Sequence, residues 1–166
     1  MRYRLVKKNQ FSGCKASIYN IYLEDEQVTL FDRFLEENNK SFKSELKSIV
    51  NRLTPIGHDT GAREIFFKIN EGKPGDGVCA LYDDPDHKLR LYCIRYGSLI
   101  LILGGGGPKP KEIRALQEDT KLDEENKILC QVSSDIKQKM KDGTISFTHD
   151  YMDFEGDLAF NYEEDE

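Results

Sequence analysis

The chain has 166 residues, of which 38% are hydrophobic and 33% charged, with a formal net charge of −6 and a mean hydropathy of −0.62. That composition suits one globular domain and excludes a disordered or low-complexity polymer. The longest apolar run, Leu99 to Leu103, is far too short to cross a bilayer, and MRYRLVKKNQ lacks the apolar core of a signal peptide, so a cytoplasmic protein with no membrane partner is expected.

MRYRLVKK and ASIYNIYLE read as two strands separated by QFSGCK, whose glycine and polar residues favour a turn, and they are expected to pair as a hairpin. Thr29 followed by Asp32 opens a short amphipathic helix through Leu30, Phe31, Phe34 and Leu35, which Asn38 and Asn39 end. Ser41 is placed to cap a second helix with Phe42, Leu46, Ile49, Val50 and Leu53 on one stripe, closed by Pro55 and Gly57. Glu64 to Ile69 reads as a strand before the turn-forming GKPGDG. VCALY, KLRLYCIRY and SLILIL follow as three strands whose short connections require antiparallel neighbours. SLILIL is apolar on both faces, which places it at the centre of a sheet covered on both sides.

Gly104 to Gly107 read as a break between that strand and a helix over Lys111 to Leu122. A phosphate-cradling loop is the alternative, but Pro108 and Pro110 remove two amides and the Gly-Lys-Ser/Thr signature is absent, so a nucleotide site there ranks last. A further helix over Asp123 to Lys141 carries Ile128, Leu129, Val132, Ile136 and Met140 in register and stops at Asp142-Gly143.

Charge is unevenly distributed. Residues 142–166 hold nine acids and no Lys or Arg, which leaves 24 basic against 21 acidic residues in the first 141. The acidity therefore belongs to the tail, which either solvates the terminus or lies across the body as a phosphate mimic anchored by Tyr151, Phe154, Phe160 and Tyr162. Cys14, Cys79, Cys93 and Cys130 show no CxxC spacing, and His58-Asp59 and His149-Asp150 lack further ligand spacing. Buried thiols and surface loops are expected, with no metal site and no cofactor.

Within KLRLYCIRYGSLILILGGGGPKPKE, strand alternation sets Arg90, Tyr92 and Ile94 on one face and Leu89, Leu91 and Cys93 on the other. Arg90 is read either as a structural cation paired with an acid or as a reactive one. Arg95 near the strand end reads as a surface residue with a buried stem, and the tyrosines as sheet packing or base stacking.

The order of these segments, from LFDRFLEEN and FKSELKSIVNRL through GKPGDGVCALY and KLRLYCIRYGSLILILGG to PKPKEIRAL, resembles the RelE/ParE superfamily of bacterial toxins, in particular its HigB-like, phage-derived branch. The likeness spans residues 2–120. It implies an α+β domain over 1–122 with an antiparallel-rich sheet packed by helices, extended by a helix at 123–143 and an acidic aromatic tail at 144–166. It also implies a toxin that cleaves messenger RNA at the ribosome without metal, neutralised by a helix-turn-helix antitoxin, with a homodimer left open. Arg90, Lys109 and Lys111 are its candidate catalytic residues, and Arg95, Tyr92 and Tyr82 its candidate RNA-binding residues. Ala80-Leu81-Tyr82 stands where the family carries a Glu-Leu-Arg-like triplet, and four glycines stand where relatives place side chains. Those departures favour the alternative, a catalytically degenerate relative that binds protein or RNA.

Overall fold

A computed structural model describes residues 1–82, 87–110 and 120–161. Strands β1 (Arg2–Lys7) and β2 (Ser17–Leu23) form the expected hairpin, with Leu5 opposite Ile21. The two-residue β3 (Val28–Thr29) pairs with the end of β2 and runs straight into α1 (Leu30–Asn38). Thr29 Oγ1 accepts the Asp32 amide at 3.0 Å, so the sequence signal for a cap is used as read. Ser41 does not cap α2 (Lys43–Pro55). Phe42 takes the N-cap position with no side-chain bond, and its amide donates instead to the Asn38 carbonyl at 2.9 Å, so the two helices follow each other with almost no linker.

The chain continues through a π turn (Ile56–Thr60) and a 3-10 turn (Glu64–Phe66) into β4 (Phe67–Lys68). The strand expected over Glu64 to Ile69 is therefore only two residues long. It pairs with β5 (Val78–Leu81) through Phe67 and Lys68 alone and, among the described residues, has no strand on its other side. Strands β6 (Leu89–Tyr96) and β7 (Ile100–Pro108) follow, then α3 (Thr120–Lys141) and the short strands β8 (Ile145–Phe147), β9 (Phe154–Gly156) and β10 (Ala159–Asn161). Of the helix expected over Lys111 to Leu122, residues 111–119 lie outside the described residues; from Thr120 the helix runs unbroken to Lys141.

The main sheet has the order β10-β1-β2-β7-β6-β5-β4, with β3 beside β2, and every described pair is antiparallel except β2 with β7. Strand β7 is central, and its apolar half is buried on both faces as its sequence required. One face packs Ile100, Ile102, Tyr92 and Ile94 under Leu129, Val132 and Ile136 of α3. The other packs Leu101, Leu103, Leu91 and Cys93 under Phe31 and Phe34 of α1 and Leu46, Ile49 and Leu53 of α2. Each such fully buried aliphatic or aromatic side chain contributes roughly 1.5–3 kcal/mol.

The glycines are no break. Gly104 to Gly107 continue β7, with a bulge that sets Gly104 and Gly105 together between the Leu91–Gly106 and Cys93–Leu103 pairs, opposite Tyr92. A Cβ on Gly104 would lie 2.5 Å from Leu129 Cδ2, on Gly105 2.4 Å from Glu125 Oε2, and on Gly106 1.8 Å from the Arg90 carbonyl oxygen. Bare backbone is what lets α3 come this close to the strand.

Pairing between β2 and β7 ends at Asn20 opposite Leu103, where β3 takes over the flank of β2. Beyond that point the two faces of the sheet are joined by charge. Arg33 Nη2 of α1 meets Glu125 Oε1 of α3 at 2.9 Å, although Glu125 is only 2% exposed. Lys121 Nζ reaches the same oxygen at 2.7 Å and Glu37 at 3.1 Å, and Arg33 also holds Glu26 at 3.1 Å. Burial pulls the Arg33 guanidinium down in pKa, and the carboxylates of Glu125 and Glu26 more than reverse it.

The acid-rich C-terminal segment is built into the fold as far as Asn161. Phe160 stacks on Tyr3 at 4.7 Å, and Phe154 packs against Tyr19 and Tyr96. Lys7 and Tyr19 both bond Asp153, at 2.9 and 3.0 Å, and Tyr3 donates to Asp135 of α3 at 2.6 Å. The helix at 123–143 and the tail therefore share one core with the sheet.

An alanine at position 106 is expected to cost about 3 kcal/mol by overpacking against backbone, whereas Gly97→Ala, at φ +58 with open space around it, should cost about 1 kcal/mol. Urea unfolding of the two variants reads the difference.

Cys79 and Cys93 are cross-strand neighbours on the face under α1 and α2, both free and buried. Burial pushes the Cys79 thiol up to about 12 and raises Cys93 well above its ordinary value. A disulfide reagent added to native protein should thus consume exposed Cys14 first and reach these two only in denaturant. Rapid reaction of all four thiols without denaturant would contradict this packing.

Candidate functional site

Both ends of β6 carry residues that the sequence marked, and they differ in what surrounds them. At the far end Arg95 is committed to structure: Nε donates to the Ala62 carbonyl at 2.6 Å and Nη2 to Ser98 Oγ at 3.4 Å, fastening the loop after the π turn to the β6–β7 connection. Five residues of extended chain, about 17 Å, separate it from Arg90. Alternation also puts the two arginines on opposite faces. They do not form one site.

Arg90 sits near the start of β6, half-buried, paired in register with Gly107 and sharing the α3 face with Tyr92. Tyr92 is 4% exposed, so its ring is sheet packing and has no free face for a base. Burial raises its phenol, while hydrogen bonds from Arg90 and Asn126 act in the opposite direction. Asn126 is itself held, donating to the Glu71 carbonyl at 2.8 Å. The Arg90 guanidinium thus has a buried phenol as its hydrogen-bond partner on this face of the sheet.

The same end of the sheet collects other chemistry. Lys109 is drawn in by its amide, which donates to the Lys88 carbonyl at 2.6 Å and so extends the β6–β7 ladder past Pro108. Tyr82 follows β5 two residues beyond the Ala80–Tyr92 pair, which brings it level with Arg90 on the neighbouring strand. Its ring is 59% exposed. Of the six candidates, Arg90, Lys109 and Tyr82 are therefore brought together, Tyr92 is adjacent but buried, Arg95 is remote, and Lys111 lies outside the described residues.

Some residues at this end were not singled out by the sequence. Glu45 of α2 accepts the Lys88 and Leu89 amides at 3.0 and 3.1 Å, fixing where β6 begins. Arg52 of α2 donates through Nη1 to the Tyr82 carbonyl, holding the end of β5. His87 immediately precedes Lys88 and is half-buried, and an imidazole is the side chain most used for proton transfer. Helical spacing shows that Arg52 and Glu45 lie off the apolar stripe of α2, but nothing in one sequence shows that this side of the helix meets the ends of β5 and β6. Among the described residues no group of three His, Cys, Asp or Glu is placed to hold a metal ion, and no helix is long and apolar enough to cross a membrane.

Comparison with protein-family models, with curated proteins and with solved structures finds no match to this chain.

Removing the Tyr92 hydroxyl (Tyr92→Phe) should destabilise the fold by about 1 kcal/mol, since Arg90 and Asn126 lose a buried partner. Tyr82→Ala should change stability by no more than about 0.5 kcal/mol. Thermal or urea unfolding of both variants distinguishes the packed ring from the presented one.

Proposed function

We propose that this chain is the toxin half of a toxin–antitoxin pair, a RelE/HigB-like domain that acts on messenger RNA at the ribosome. The observation that carries this reading is convergence: the strand, helix, helix, strand and strand-pair order of residues 17–109 closes into one sheet that brings Arg90, Lys109 and Tyr82 to a single end. Cleavage of RNA through its 2′-hydroxyl builds negative charge on the phosphorus-bound oxygens. A fixed cation beside them lowers the barrier because it needs no reorganisation as the charge appears. Arg90, oriented by Tyr92, supplies that cation in this reading, with Lys109 as the second positive group. His87 is the described residue best suited to carry a proton at the same end. The proposed setting is the cytoplasm, and the proposed partner is a helix-turn-helix antitoxin; a homodimer belongs to the same proposal.

One observation favours a second reading, a binding module that has lost turnover. Arg90 is only half accessible, and Arg95 and Tyr92 are occupied in structure. A protein that holds RNA or a partner without cutting it needs no more than the exposed Tyr82 and the surrounding cations.

Induced expression separates the two. The native chain should arrest growth and leave mapped cuts in transcripts, and Arg90→Ala or Lys109→Ala should lower the cleavage rate by on the order of 100-fold, with circular dichroism confirming that the variants fold. Arrest without cuts, unchanged in both variants, would identify the binding module; neither arrest nor RNA association would end the toxin reading.

A further inference from the structure

Beside the strand end that presents Tyr82 lies a groove of about 380 Å³ between α2 and the 3-10 turn. Leu81, Pro55 and Ile56 form its apolar surface, Phe66 and Tyr82 contribute two aromatic rings, and Asn51, Arg52 and Thr60 supply the polar groups. Ile65 stands on the rim at 77% exposure. A mostly apolar hollow with a few polar side chains is the usual form of a site for a small planar group.

We propose that this groove seats one unpaired base of single-stranded RNA. The inference rests on the RNA-directed reading above and adds how sequence would be sensed. Size is the first argument: the volume holds a base with its sugar, whereas a docking helix would need anchors spread over two turns. Chemistry is the second, because a ring face, a guanidinium and an amide are the groups that stack on a base and read its edge. Charge is the third: the charged side chain among the described lining residues is a cation, Arg52.

Position makes the groove relevant to Arg90. Tyr82 lines the groove and also stands level with Arg90 one strand away, about 4.8 Å in backbone spacing. Arg52 ties groove to strand end, since its Nη1 holds the Tyr82 carbonyl and the residue lines the groove. The groove opens on the α2 side, whereas Arg90 faces α3. A strand of RNA would therefore bend over the end of β5, with a base gripped on one side and a phosphate beside Arg90 on the other. Tyr82 and Asn51 are specificity groups in this arrangement.

Fluorescence polarisation at low salt with fluorescein-labelled oligo(A), oligo(U) and oligo(C) ten-mers tests it. Native protein should favour one of the three by fivefold or more. Tyr82→Ala should weaken that favoured oligomer about tenfold, Tyr82→Phe should restore it, and Asn51→Ala should erase the preference. Arg90→Ala should weaken all three by the same factor and leave their ranking intact. Both groove variants are at exposed positions, so circular dichroism should show native folding. Binding and ranking unchanged in Tyr82→Ala and Asn51→Ala would overturn the base seat while leaving the RNA-directed reading in place. Failure of the native chain to bind any of the three would overturn both, and would point to a protein segment as the occupant of the groove.

Discussion

Bare backbone at Gly104 to Gly107 is the constraint on which the rest of this structure depends. Helix α3 lies so close to that stretch of β7 that a methyl group on Gly104 or Gly105 would overlap Leu129 or Glu125, and one on Gly106 would overlap the Arg90 carbonyl of β6. The close approach buries the Glu125 carboxylate, and a buried carboxylate is tolerable only when cations reach it. Arg33 and Lys121 do so, one from α1 and one from α3 itself. The result is a pin through the place where β2 and β7 part, holding together helices that otherwise touch opposite faces of the sheet. Packing and charge are not separable here: the glycines make room for the ion pair, and the ion pair keeps the helix on the glycines.

The same closeness shapes the candidate site. With α3 down on the sheet, Tyr92 becomes interior, and its hydroxyl becomes an orienting partner for Arg90 rather than a platform for a base. Among the described residues at that end, Tyr82, carried past the last rung of β5, is exposed and lines the groove behind it. In the proposed reading the two sides of the strand end divide the labour, one with a fixed cation and the other with an aromatic hollow. Charge stabilisation and base recognition require different surroundings, and a sheet edge that separates two faces can provide both within a few ångströms.

The C-terminal segment illustrates how composition can mislead about architecture. A run of nine acids without a single Lys or Arg looks like a solvated tail, yet Phe154 and Phe160 bury their rings against Tyr19 and Tyr3, and β10 closes one edge of the sheet. In β10 the buried Phe160 between exposed Ala159 and Asn161 is the pattern of an edge strand with one wet face. The acids at Asp153 and Asp157 moreover accept bonds from Lys7 and Lys139, so part of the negative charge is neutralised by the body.

From the sequence alone, the elements whose signals are local could be read: the hairpin of β1 and β2, the Thr29 cap, the stripes of α1 and α2, and the three strands ending in a run that is apolar on both faces. Each depends on periodicity or on a cap within a few residues, and such preferences act before any tertiary contact forms. The face shared by Arg90 and Tyr92 followed in the same way from alternation. What tertiary structure decided was everything set by the approach of distant segments. Four glycines that read as a break became a continuation of the central strand, two of them bare where α3 needed the space. Arg95 became a loop fastener because Ala62 came to meet it, and Arg52 joined Tyr82 because α2 ends beside β5. A glycine or an arginine carries no local mark of its eventual neighbour, so only the folded chain could assign these residues their roles.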